Sequence, residues 1–433
     1  MQLPREIIFT IAYGQSNAEG GGLRRLRRSQ RVATHGIIDD QKALMFNTGL
    51  LGTEQDLFKP ETITSFVPAV EDSRRGESGG ASYIRYSLAC DLANGDEDTV
   101  YLYRTTGQSG EPIQSLANRK GVAFANFMKT VRRAWTIASQ SGMKLSLPHY
   151  LWDQGEADRK ARMPGDAYFD QMSRMHLRLS ERIHRRTRQE RPLWMLTTIL
   201  TAPSSSFGRK TGSDIALAQV RACNSGLTIA PVCSPYWFCG PFGYNPEQGV
   251  HWTPLGKAFL REFGARAARI VREAMEYSPA ARLGDSIRRR VYDGVAKRWV
   301  EQTVPFETAP RTDLRSVGRD GRVIVGEVFY AEGGLSIDPQ DRPSAVHHGF
   351  EWSGEGKIDH VETENSNGRS RWRVVLDRPS SGTLSYAVTR QLTDDCTGPA
   401  SWGDVFDNCQ EPSLAIPGKT LRQGMLPFRI YVP

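Results

Sequence analysis

The sequence predicts an α/β protein, a parallel sheet with helices on both faces, followed by a smaller all-β region. Three observations predict it. Between residues 99 and 276, short runs rich in β-branched and aromatic residues alternate with segments of helical period. After about residue 286 the helical period gives way to short alternating runs separated by Gly, Asn and Ser clusters. Composition agrees: 39% hydrophobic and 24% charged residues are globular values, and 41 Gly, 24 Pro and 9 Trp signal many turns and aromatic surfaces rather than a helical bundle. A chain of 433 residues is also too long for one ordinary core.

The first strand is the apolar run at residues 7–12, with Gly14 at the turn beyond it. A hydroxyl on the first residue clear of that strand would present Ser16 at the carboxyl edge of the sheet, where open α/β folds place ligands. By itself a serine there reads as a helix cap. From Ser16 to about residue 95 the order reads as irregular, with turn signals at Asn47-Thr48-Gly49 and Ser78-Gly79-Gly80. Strands follow at 99–103, 147–152, 193–200 and 227–232, and helices at 116–140, 166–188, 213–224 and 254–276. Phe124, Phe127, Val131 and Trp135 stripe the first helix, and Tyr168, Met172, Met175, Leu179 and Ile183 the second. Leu260, Phe263, Ala267, Ile270 and Val271 do the same for the last, and such stripes are core. An Arg-rich segment from 286 reads as helical and leads to Pro305 and Pro310, which places a linker at 286–312 between units at 1–285 and 313–433. Runs at 322–330, 348–352, 357–361, 371–376, 383–388 and 428–432 suggest a β-sandwich of about 115 residues.

No stretch approaches the roughly 18 apolar residues of a membrane span, so no membrane partner is expected. Arg5 before an apolar run imitates a signal peptide, but the run is only about seven residues and cleavage after it would strand Ser16. It is read as a strand, and the chain as cytoplasmic when made. Cys90, Cys223, Cys233, Cys239, Cys396 and Cys409 show no Cys-x-x-Cys spacing. Cys396 and Cys409 flank a Gly-, Pro- and Asp-dense loop and could form a disulfide; Cys223, Cys233 and Cys239 read as buried thiols. His347-His348 would face opposite sides of a strand, which argues against a metal pair. No metal or cofactor is expected.

The formal charge of +8 is uneven. Arg24, Arg25, Arg27, Arg28 and Arg31 cluster early; Arg174, Arg178, Arg182, Arg185, Arg186, Arg188 and Arg191 stud one helix; Arg288, Arg289 and Arg290 form a third run. Solvated faces explain most such runs, and attraction to an acidic polymer is the sharper reading. The sequence carries no nucleic-acid-binding signature, and no nucleic-acid partner is expected.

Four segments carry chemistry, each where a loop should leave a strand or enter a helix at one end of the sheet. They are Gly14-Gln15-Ser16-Asn17, Thr106-Gly107-Gln108-Ser109-Gly110, Trp152-Asp153-Gln154-Gly155-Glu156-Ala157-Asp158, and His251 ahead of the last helix. Acyl transfer needs these parts. A serine is a weak nucleophile until an imidazole takes its proton, and the tetrahedral intermediate needs preorganised donors. The Ser16 N–H, a glycine N–H at Gly107 or Gly110, and the Gln154 amide could supply them. The Gly-x-Ser-x-Gly elbow is absent, since Ala18 follows Asn17.

This motif set resembles the sialate-O-acetylesterase-like branch of the SGNH (GDSL-type) hydrolases, over roughly residues 6–275. The resemblance implies a flavodoxin-like three-layer α/β/α sandwich and metal-free removal of O-acetyl groups from carbohydrates. It makes Ser16 the nucleophile, with Gln15 and Asn17 beside it, His251 the base and Gln154 an oxyanion donor. One departure stands out: Gln248, three residues before His251, replaces the family's aspartate. Either Glu247 reaches the histidine, or Glu156 or Asp158 substitutes, or a Ser–His dyad operates; Glu156 and Asp158 could equally brace the loop. The expected function is a serine esterase acting on an acetylated, acidic polysaccharide, suited to a phage or prophage particle and its proteins. The alternatives are a non-catalytic carbohydrate-binding or tail-structural protein of the same fold, or a lipase or thioesterase of the same superfamily.

Overall fold

The computed structural model describes residues 6–19, 41–52, 62–71, 78–200, 214–235, 251–338, 346–366, 368–388 and 403–433. Glu247, Gln248, Cys239, Cys396 and the early arginine cluster lie outside the described residues.

The first half runs β1 (Glu6–Gly14), α1 (Ser16–Glu19), β2 (Ala43–Phe46), β3 (Phe66–Pro68), α2 (Gly80–Ala93), β4 (Val100–Thr105), α3 (Ile113–Leu116) and α4 (Val122–Gln140). It continues with β5 (Lys144–Asp153), α5 (Glu156–Lys160), α6 (Gly165–Thr187), β6 (Trp194–Thr197), α7 (Asp214–Cys223), β7 (Ile229–Pro231) and α8 (Pro254–Tyr277). Seven strands form one sheet in the order β3-β2-β4-β1-β5-β6-β7, parallel except for β3. β1, β4 and β5 are buried almost end to end, as strands covered on both faces must be. α2 and α8 pack together on one face, and α4, α6 and α7 on the other. The run β4-β1-β5-β6-β7 is the flavodoxin-like strand order, and the chain reverses direction between β1 and β5. A crevice is expected at the carboxyl ends of those two strands.

Beyond α8, β8 (Ser286–Asp293) and β9 (Arg298–Pro305) form an antiparallel hairpin. β10 (Gly318–Asp320), β11 (Val323–Val328), β15 (Arg369–Leu376) and β14 (Ile358–Ser366) make a four-stranded sheet. β12 (Leu335–Ile337) pairs with β17 (Val405–Asp407), and β13 (Phe350–Trp352), β16 (Gly382–Tyr386) and β18 (Phe428–Val432) form a third sheet. Phe350, Trp372, Tyr386 and Phe428 fill the core between the larger two, Trp372 stacking on Phe428 at 5.2 Å.

Three local expectations change. The stretch before residue 95 is not irregular: it holds β2, β3 and the 14-residue α2. Residues 286–305 are a hairpin rather than a helix, because Ile287, Arg289 and Val291 alternate inward and Tyr292 meets Trp299 across the strands. His347 and His348 precede β13 in a 3₁₀ turn with φ of 46° and 55°, and His348 Nδ1 lies 3.4 Å from Asp404. Cys409 is a buried free thiol.

Candidate active site

The ends of β1 and β5 are locked in register. Gly14 pairs with Asp153, and the Gln15 N–H donates to the Asp153 carbonyl at 3.0 Å. Gly14 has φ of +148°, and a Cβ there would lie 2.1 Å from that carbonyl, so only glycine turns the chain this close. Ser16 is the first residue of α1, and its N–H belongs to a first turn with no intrahelical acceptor.

His251 comes from the other side of the sheet. Thr253 caps α8 by accepting the Gly256 N–H at 3.0 Å, and Pro254 occupies the first turn. That cap fixes where the two preceding residues leave the helix. His251 Nε2 thereby lies 2.9 Å from Ser16 Oγ, across 235 residues of sequence, and both residues are half-buried. With the imidazole proton on Nδ1, the serine hydroxyl donates to Nε2. Burial, with help from the Lys257 ammonium, holds the imidazole below its ordinary 6.5, so it is a neutral acceptor at pH 7. The Trp252 N–H donates to Asn17 Oδ1 at 3.4 Å, a second tie between the two segments.

Arg261, two turns into α8, binds the whole corner. Its Nη1 meets Asp153 Oδ2 at 2.6 Å, with both side chains 3% exposed. Its Nη2 donates to the Asn17 carbonyl at 3.4 Å and its Nε to the Ser78 carbonyl at 3.2 Å. Thr198 donates to the other Asp153 oxygen at 2.5 Å. The sequence reading passed over Arg261 and Thr198. An arginine inside an Arg-rich helix looks like any solvated one until the fold shows it buried.

The glycine loop lies against the same turn. Gly107 is buried, and a Cβ on it would meet the Gly14 carbonyl at 2.6 Å. Gly110 sits farther out in an exposed turn with open space around it. Gln154 is held on three sides: Nε2 donates to Asp158 Oδ2 and, at 3.3 Å, to the Glu111 carbonyl, while Oε1 accepts from Tyr168 at 2.8 Å. Asp158 also accepts the Ile113 N–H at 2.9 Å; burial raises its pKa, against the pull of those donors. Gln15 Oε1 accepts from the Ala157 N–H at 3.4 Å. Glu156 Oε1 accepts from Asn17 Nδ2 at 3.1 Å, while its Oε2 is out of solvent with no partner among the described residues. Burial lifts this carboxyl to about 7.

No family model and no curated protein matches the sequence. Among solved structures, the fold resembles that of XAC1771, a carbohydrate acetylesterase from Xanthomonas citri, with a TM-score of 0.57 over 98% of this chain and 80% of that one, at 13% identity. The likeness is one of fold. An Arabidopsis thaliana protein aligns over 61% of this chain and 97% of its own at a TM-score of 0.39 and 14% identity. The shared architecture is the mostly parallel sheet with its helices, continued by antiparallel sheets.

Proposed function

We propose that this protein is a serine esterase that removes O-acetyl groups from a polysaccharide. The observation that carries the reading is the 2.9 Å approach of His251 Nε2 to Ser16 Oγ at the switch point of the sheet. The fold likeness to a carbohydrate acetylesterase and the motif resemblance to the sialate-O-acetylesterase-like SGNH branch support it.

In this reading Ser16 Oγ attacks the acetyl carbonyl while its proton passes to His251 Nε2. The proton then goes to the departing sugar oxygen, leaving acetyl-Ser16, and water activated by the same imidazole releases acetate. The developing oxyanion is met by the Ser16 N–H, by Gly107 in preference to the exposed Gly110, and by Gln154. The Gln154 hydrogen on the longer contact to Glu111 is the one an oxyanion takes over. The Asp158 bond then orients the amide instead of consuming it. Any acidic partner for His251 at Glu247, or an amide one at Gln248, belongs to the segment just before it.

The test is acetate release from an acetylated polysaccharide and from an aryl acetate. Ser16→Ala is expected to lower kcat by at least about 10³-fold with the fold intact. Equal acetate release by both proteins would overturn the Ser16 assignment, and faster turnover of octanoate than acetate esters would favour a lipase.

A further inference from the structure

The outer face of α6 carries charge that the fold leaves unanswered. Arg174, Arg178, Arg182, Arg186 and Arg188 form no ion pair with any described residue, whereas Arg185 pairs with Glu181 at 2.5 Å and Arg191 reaches Glu276 at 3.8 Å. Arg174 and Arg178 stand one turn apart, as do Arg178 and Arg182, and like charges at that spacing oppose helix formation. Two exposed carboxylates share this side, Asp170 four residues before Arg174 and Glu181 three after Arg178, but neither pairs with these arginines, and the cations outnumber them. Arg174, Arg178 and Arg188 are exposed, and Leu177, 53% exposed, puts an apolar step between the first two.

Two of the cations are held in place. The Arg182 guanidinium lies 5.2 Å from the Phe124 ring and that of Arg186 lies 4.8 Å from the Trp135 ring, both rings on α4. Stacking removes much of the freedom of a solvated arginine, so an anion that meets these groups orders less. Lys160, the last residue of α5, and Arg162, in the turn before α6, are exposed and carry the same sign nearer Ser16. From that turn to Arg188 the helix layer spans roughly 35–40 Å, the length of several sugar residues.

We propose that this face binds an anionic glycan, a chain bearing carboxylate groups, and leads it to the Ser16 mouth. The binding stands on the charge pattern; its role in delivering substrate rests on the esterase reading above. A nucleic acid is the competing polyanion, but the rings here lie under guanidinium groups and leave no platform for stacking bases.

The probe is polygalacturonate, with dextran and duplex DNA for comparison, and the binding protein is Ser16→Ala, in roughly 50 and 200 mM salt. Polygalacturonate should bind, and more weakly in the higher salt. Adding Arg174→Glu, Arg178→Glu and Arg188→Glu should weaken it by roughly tenfold or more and flatten the salt dependence. In the otherwise native enzyme the same triple change should raise KM on acetylated polygalacturonate at constant kcat. Aryl acetate turnover and thermal unfolding should stay unchanged, which excludes misfolding. Equal polygalacturonate binding with and without the arginines, no binding at all, or tighter binding of DNA would overturn the proposal. Charge-dependent glycan binding by a protein that hydrolyses no aryl acetate would sink the esterase reading and uphold the binding face.

Discussion

Glu156 shows how one carboxyl can be read by its proton. Burial raises it from 4.5 to about 7, one oxygen takes the Asn17 amide, and the other has no partner among the described residues. A raised folded pKa means that folding favours the protonated form. The stability this gives is complete below 4.5 and is lost as pH rises through about 7. Glu156→Gln keeps the acceptor for Asn17 and removes the charge, so its melting temperature should pull ahead of the wild type between pH 5 and pH 8. An advantage independent of pH would refute the burial account. Since Glu156 bonds Asn17, kcat should fall far less than in Ser16→Ala; an equal fall would make Glu156 the acid that serves His251. The histidine gives a second pH prediction. In the proposed mechanism His251 acts as a neutral ring, so the acid limb of kcat/KM on an aryl acetate should have its midpoint below 6.5, and Lys257→Gln should move it upward by removing the nearby cation. A midpoint at or above 6.5 would count against His251 as the base. Ser16 and His251, which the fold brings together, could be singled out from sequence as candidates because each stands in a short motif tied to a strand end or a helix start. The arrangement of Gln154 was not readable, because Tyr168, which fixes its oxygen, looks like one more residue of the α6 core stripe.

At the scale of elements, the site depends on α8 sitting in one position against β1 and β5. The Arg261–Asp153 pair sets that position: one guanidinium joins the histidine's helix, the end of β5 and the serine's turn. Arg261→Met would leave Asp153 charged and buried, at a cost of about 3–5 kcal/mol. It should also lower kcat by roughly 10²-fold, because Ser16 and His251 lose their common anchor. Arg261→Lys restores the charge but not the fork, so it should recover stability more fully than rate. If thermal unfolding fell while kcat held, the pair would be structural only. The elements themselves were legible to different degrees, for physical reasons. α4, α6 and α8 have one apolar and one polar side, and their period shows in the sequence. α2 is buried around most of its circumference, from Gly80 to Asp91, so it has no contrasting face to reveal a period. The β8–β9 hairpin was hidden by its arginines: Arg289 is buried with Glu332, from a later segment, as its ion-pair partner, which no local pattern contains.

Across the whole molecule, α8 is shared between the parallel sheet and the C-terminal sheets. Arg266 bonds Glu332 at 2.8 Å and Glu411 at 3.1 Å, Arg269 bonds Glu411 at 3.1 Å, and Arg289 reaches Glu332 at 3.4 Å, all with side chains at most 6% exposed. Glu332, Cys409 and Glu411 lie close enough together to hold a metal ion, but these guanidinium groups already occupy the carboxylates. Glu262 adds bonds to Ser413 at 2.5 Å, Leu414 at 2.8 Å and Ala415 at 2.7 Å. Phe306, Phe406, Ile416 and Leu421 join the apolar cluster that contains Phe263 and Ile270. A chain ending at Asp285 would therefore leave Glu262 and Arg266 without these partners, leave Arg269 only Glu273, and strip part of that cluster. The cut would also expose Phe263, Ile270 and the apolar residues around them to water, and a typical domain has only about 5–15 kcal/mol to lose. The 1–285 fragment should be insoluble or lack a cooperative thermal transition. In the full chain, Glu411→Gln should lower the melting temperature while leaving any aryl acetate rate of the folded protein nearly unchanged, since the network lies farther along α8 from Ser16 than Arg261 does. A soluble 1–285 fragment that melts cooperatively and turns over aryl acetate would show instead that the first unit folds and acts without the C-terminal sheets.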